Sequence, residues 1–199
     1  FLSGCGGPKI HIDDQVEPFL IDRPIVSQIV LRCEFDKLEN TGPHDMNISQ
    51  PLSETFCEKA EEAFLKGRVA QSVLKTNSGD SGMPVLRTVT QITYDGNTGM
   101  AVLKSIVFTL LFPLLPFMEH TVTYSISSDL FIIQGQRSAQ VGTVNSTLYL
   151  TRTLFNSFIE SEVIPLIAED VSWKIARELK RHPDWLRSPS ADQPQPHRP

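Results

Sequence analysis

Cysteine is scarce, with three residues in a chain of 199. That count excludes a disulfide-dense scaffold, and a chain this long can bury a sizeable core without one. Dense basic runs are missing too. The 18 Lys and Arg residues are dispersed and outnumbered by 23 Asp and Glu, giving a formal net charge of −5. This excludes the concentrated cationic surface with which nucleic-acid binders neutralise phosphates, and it offers no attraction to anionic lipid. The five histidines, His11, His44, His120, His182 and His197, are scattered without metal-ligand spacing, so no metal site is expected. His11-Ile12-Asp13-Asp14 reads as a solvated linker rather than a ligand pair. A phosphate loop and a dinucleotide glycine fingerprint are also absent, so no cofactor is expected. The sequence reads as a non-enzyme.

What is present is an alternation of strand and helix signals. Ile29, Leu31, Cys33 and Phe35 fall on one face of a period-two pattern, which predicts a strand over 26–35. Pro51 opens a helix carrying Phe56, Cys57, Ala60, Ala63 and Phe64 at helical spacing, and Gly67 stops it. Residues 68–75 and 84–94 alternate around the turn Asn77-Ser78-Gly79-Asp80-Ser81-Gly82 and are expected to form a hairpin. Residues 120–134 and 137–150 flank Gln134-Gly135-Gln136 as a longer hairpin, with Val122, Tyr124, Ile126, Ser128, Leu130 and Ile132 on one face. Ile159, Val163, Leu166, Val171, Ile175 and Leu179 predict a final helix, which Pro165 kinks or starts. Glu160, Glu162, Glu169 and Asp170 are assigned to its solvated side. The order predicts an α+β fold, a mixed, mostly antiparallel sheet with two main helices packed on one face. A single domain over 25–181 follows, with 1–24 as N-terminal linker and 182–199 as a tail. That tail holds five of the 14 prolines and too little apolar surface to offset its ordering entropy.

Residues 100–118 carry one charge, Lys104, and include Leu110-Leu111-Phe112-Pro113-Leu114-Leu115-Pro116-Phe117. A straight helix of that length would rise about 28 Å, near the thickness of a bilayer's hydrocarbon, but Pro113 and Pro116 oppose it. The block reads either as core or as an exposed segment that docks on a partner or dips into lipid. Leu114, Leu115 and Phe117, beside the prolines, are the candidate docking residues.

Gly79-Asp80-Ser81-Gly82-Met83-Pro84 resembles the nucleophile segment of chymotrypsin-like serine proteases, but Met83 departs from it. Only His11 and His44 precede Ser81, with too little chain for the N-terminal part of that fold, so a Ser–His–carboxylate constellation is not expected. A polar hairpin turn explains these residues.

Leu2-Ser3-Gly4-Cys5 resembles the lipobox of bacterial lipoproteins. The resemblance implies that Cys5 is the lipidated first residue of a mature protein, with the remainder of a signal segment preceding Phe1. Gly6, rather than Asp, resembles the pattern of lipoproteins sorted to the outer membrane. A periplasmic chain would permit a disulfide between Cys33 and Cys57; two separate buried thiols fit the spacing equally well. Residues 25–94, with Ile29-Val30-Leu31 and the run Phe35-Asp36-Lys37-Leu38-Glu39-Asn40-Thr41-Gly42, are similar to the strand–loop–helix opening of the TolB amino-terminal and curli-export lipoprotein type of domain. These resemblances imply a lipid-anchored structural or assembly component of a Gram-negative envelope complex. It would reach the membrane through its acyl anchor, have an envelope protein as partner, and bind no nucleic acid. The alternative is a carrier of a lipid or other apolar ligand between sheet and helices.

Overall fold

The computed structural model describes residues 9–40, 49–75, 83, 85–95, 120–134, 137–152 and 160–186. Six strands form one sheet: β1 (Lys9–Ile12), β2 (Val26–Asn40), β3 (Ala70–Lys75), β4 (Val85–Asp95), β5 (His120–Gln134) and β6 (Arg137–Arg152). Their spatial order is β1-β6-β5-β4-β2-β3. Two helices, α1 (Ser49–Lys66) and α2 (Glu160–Arg181), pack against each other and over the sheet, and a 3-10 turn (Pro183–Trp185) follows. The fold is α+β with a mixed sheet, as the alternation of patterns predicts.

The sheet divides by direction. β4, β5, β6 and β1 pair antiparallel, whereas β2 pairs parallel with both β3 and β4. Parallel neighbours need a crossover connection, and α1 supplies the one from β2 to β3. The hairpin expected between 68–75 and 84–94 is therefore corrected: β2 lies between those strands. A strand that follows a crossover helix pairs with the strand before that helix, and the polar residues after Lys75 carry no signal that distinguishes this from a tight hairpin.

Burial follows from these positions. β2 has neighbours on both sides, and Ile29, Val30 and Leu31 are buried in succession, as strands flanked by parallel partners tend to be. β5 shows strict alternation, with Val122, Tyr124, Ile126, Ser128, Leu130 and Ile132 all buried beneath the helices. From α1 the core receives Phe56, Ala60, Ala63 and Phe64 at spacings of one helical turn. Cys33 on β2 and Cys57 on α1 form a disulfide with a Cα–Cα distance of 5.7 Å, beside the edge-to-face pair of Phe35 and Phe56. Closing the intervening 24-residue separation removes chain entropy worth about 3 kcal/mol.

The segment expected as linker joins the fold. β1 adds an edge strand to β6, and residues 13–25 then cross the helix layer as a strap. The strap is fixed by backbone bonds from Asp13 N–H to Thr147 O, Ile21 N–H to Gly67 O and Ile25 N–H to Val69 O. Val16 is buried, Phe19 meets Trp173 edge-on at 5.4 Å, and Lys180 lies 4.7 Å from the Phe19 ring centre. Enclosed by sheet, α1 and strap, α2 is buried on every side from Asp170 to Ala176. The first residues after α2 also pack: Leu186 is buried, and Trp185 stacks on His182.

Candidate functional site

Cys5, the candidate lipidation site, lies outside the described residues, as do Leu114, Leu115, Phe117 and the turn containing Ser81. His11 is exposed and meets Asp13 at 3.2 Å. Among the described residues no cluster of three His, Cys, Asp or Glu is placed to hold a metal, and no helix is long and apolar enough to cross a membrane.

The strongest polar constellation was not expected from the sequence. Asp170 and Lys174 lie one turn apart on α2, with Lys174 Nζ 2.8 Å from Asp170 Oδ2 and both side chains almost wholly buried. The sequence pattern places Asp170 on the solvated side of the helix; the strap and β6 seal that side instead. Ser146 on β6 donates to Asp170 Oδ2 at 2.6 Å, and the Val16 N–H donates to Asp170 Oδ1 at 3.2 Å. Lys174 also donates to the Asp13 carbonyl at 3.0 Å and reaches Ser146 Oγ at 3.3 Å. The cluster thus ties the last helix, β6 and the N-terminal strap together. The available signal was the i, i+4 spacing of Asp170 and Lys174 with Val171, Trp173 and Ile175 between and beside them, since a charge pair amid apolar residues at that spacing is a pattern of buried pairs as well as of solvated faces.

A serine beside a lysine is a hydrolase arrangement in some folds. Here the ammonium's three donors are directed at Asp170, the Asp13 carbonyl and Ser146, and the cluster is closed over by the strap. These side chains secure the fold around the N-terminal segment; they offer no accessible nucleophile.

The opposite face of the sheet carries the second cluster. Register places Arg32, Arg87, Phe131 and Gln140 in one cross-strand row and Glu34, Val89, Asp129 and Thr143 in the next. Arg87 forks onto Glu34, with its Nε 2.9 Å from Oε2, and lies 5.6 Å from the Phe131 ring centre. Arg32 meets the other carboxylate oxygen of Glu34 at 2.6 Å. Hydrogen bonding from Arg87, reinforced by the charges of both arginines, holds the Glu34 carboxyl below its ordinary value. Asp129 accepts from Thr143 at 2.6 Å and from Gln140 at 3.0 Å. Near β1, Asp13 hydrogen-bonds the Tyr149 hydroxyl and raises its pKa. This face is a polar, internally paired surface.

Comparison with known proteins gives likeness of fold. No protein-family model matches the chain, and no curated protein matches it in sequence. Among solved structures, a neuraminyllactose-binding hemagglutinin homolog from Helicobacter pylori is similar at a TM-score of 0.50 and 12% identity, over 82% of this chain and 89% of that one. A minor lipoprotein from Acinetobacter baumannii aligns over 78% of this chain and 92% of its own at 11% identity and a TM-score of 0.38. A lipoprotein from Caulobacter crescentus aligns over 75% and 89% at 8% identity and a TM-score of 0.28. The Helicobacter pylori protein shares the fold, and at its identity the likeness extends to fold alone.

Proposed function

We propose that this protein is a non-catalytic component of a Gram-negative cell envelope, held at the periplasmic face of the outer membrane by acyl chains on Cys5, where it serves the structure or assembly of a protein complex. The observation that carries the reading is the use of the three cysteines. Cys33 on β2 and Cys57 on α1 are joined beside the core, as suits a chain in an oxidising compartment, and the remaining cysteine stands in Leu2-Ser3-Gly4-Cys5. Two or three acyl chains suffice for stable attachment without a spanning helix. Cys5 precedes the first residue of β1 by four positions, a reach of at most about 14 Å, so the anchor would hold the β1–β6 side of the sheet close to the bilayer. Leu114, Leu115 and Phe117 are the residues proposed to contact the protein partner.

The interior favours this reading over carriage of an apolar ligand between the layers. Phe64, Leu31, Leu86, Ile126, Leu130, Leu148 and Leu179 meet there with almost no exposure, which is the packing of a core.

The test is expression in a Gram-negative host of a precursor that supplies the preceding signal. Incorporation of labelled palmitate and fractionation with outer membrane are expected, with both lost in Cys5→Ser. Wild-type protein recovered soluble without detergent and without a mass shift would overturn the anchor.

A further inference from the structure

The two sides of this sheet differ in how they are protected. β3 is short, and its last residue, Lys75, is ion-paired with Glu61. β6 is longer, and β1 covers only its stretch from Leu148 to Thr151. Asp13 extends the contact to the Thr147 carbonyl, after which the chain turns off at Asp14 with φ 49°. Residues 138–146 therefore have no strand beside them on that edge among the described residues, and Ser138, Ala139, Gln140, Thr143 and Asn145 are exposed.

Unpaired strand edges present rows of free N–H and C=O groups. Natural proteins blunt them with charge, proline, shortness or bulges. The run 138–146 contains no charged residue and no proline; its one such device is the bulge opposite Leu130/Phe131.

From this we infer that the free edge of β6 pairs with the same edge of a second copy of the chain, antiparallel about a two-fold axis, joining two six-stranded sheets into one. Three observations name the copy as the occupant. The free run is centred on Gly142, so an antiparallel self-pairing about that residue uses the whole run and stops where each β1 begins. The run is uncharged, so self-pairing sets no like charges opposite each other. Trp185 lies over Gly142, where an added Cβ would come within 3.3 Å of the indole, and in the single chain it is only half-buried. An axis normal to the sheet at Gly142 keeps both helix layers on one side and brings the two Trp185 rings together there. The arrangement is an isologous interface with aromatic anchors near its centre.

The experiment is sedimentation velocity on the full chain carrying Cys5→Ser, across a wide range of concentration. The expected result is a mass that doubles as concentration rises, with a blue shift in tryptophan emission from Trp185, since Trp173 is already buried in the single chain. Ser138→Lys combined with Asn145→Lys should return the monomer mass at every concentration while leaving circular dichroism unchanged and keeping the melting midpoint that the wild type has at concentrations where it is monomeric; Asn145→Lys alone should weaken association at least severalfold. Gln71→Lys on the β3 edge should leave association intact. A monomer at all concentrations, a dimer that survives the double lysine variant, or a dimer lost in Gln71→Lys would each overturn the proposal.

Discussion

Lys174→Met isolates what the buried ion pair is worth. The substitution keeps most of the side chain's length and removes the ammonium that faces Asp170 at 2.8 Å, the Asp13 carbonyl at 3.0 Å and Ser146 at 3.3 Å. Asp170 would remain buried, with only the Ser146 hydroxyl and the Val16 N–H to satisfy it. Breaking a buried pair from one side costs about 3–5 kcal/mol, because the surviving charge has lost its counter-charge and cannot reach water. Removing both charges with Asp170→Leu and Lys174→Met should cost less than the two single changes together, since no lone charge is left. It will not be neutral: the Val16 N–H and the Asp13 carbonyl would each lose a partner, at about 1–3 kcal/mol for a buried group. Urea unfolding followed by circular dichroism gives the three free energies and hence the coupling. A loss below about 1 kcal/mol for Lys174→Met, the range of solvent-exposed pairs, would show that water reaches the cluster and would refute the picture of a sealed strap.

Gly67→Ala should destabilise by about 1–3 kcal/mol in the same assay, because a Cβ there would stand 2.8 Å from the Ala63 carbonyl oxygen and 3.1 Å from the Trp173 ring. Glu62 hydrogen-bonds Lys66 and then Lys59, which pulls its carboxyl down to about 2 from 4.5. Its contribution to stability is present above pH 4.5 and fades as pH falls towards 2. Carbon-detected NMR titration should find the midpoint near 2, rising in Lys66→Ala; an ordinary carboxylate midpoint in the wild type would refute the contact.

Legibility in the sequence depended on how local the deciding contact is. The two faces of β5 could be read directly, because burial alternates with the pleat and each residue carries its own evidence. The mixed sheet followed from the order of patterns. The neighbour of β3 could not be read, since the residues after Lys75 look the same whether the chain makes a hairpin or passes to the far side of β2. The burial of Asp170 is hidden in the sequence for a related reason. Its helix has a solvated face in isolation, and what covers that face is the strap, more than 150 residues away in sequence. Trp185 and Leu186 sit in a proline-rich composition that argues against packing, yet Gly142 leaves room on β6 for one indole.

The path of the chain through the strap also sets how the fold carries mechanical load. Tension applied from the N-terminal side arrives first at β1, whose four residues lie along β6. Pulled lengthwise, those bonds share the strain at once; peeled sideways, they give way singly. Beyond them the force meets the ion pair on α2 before it can reach β2. The last helix therefore acts as the brake, and β2 with its disulfide is shielded until that brake has slipped.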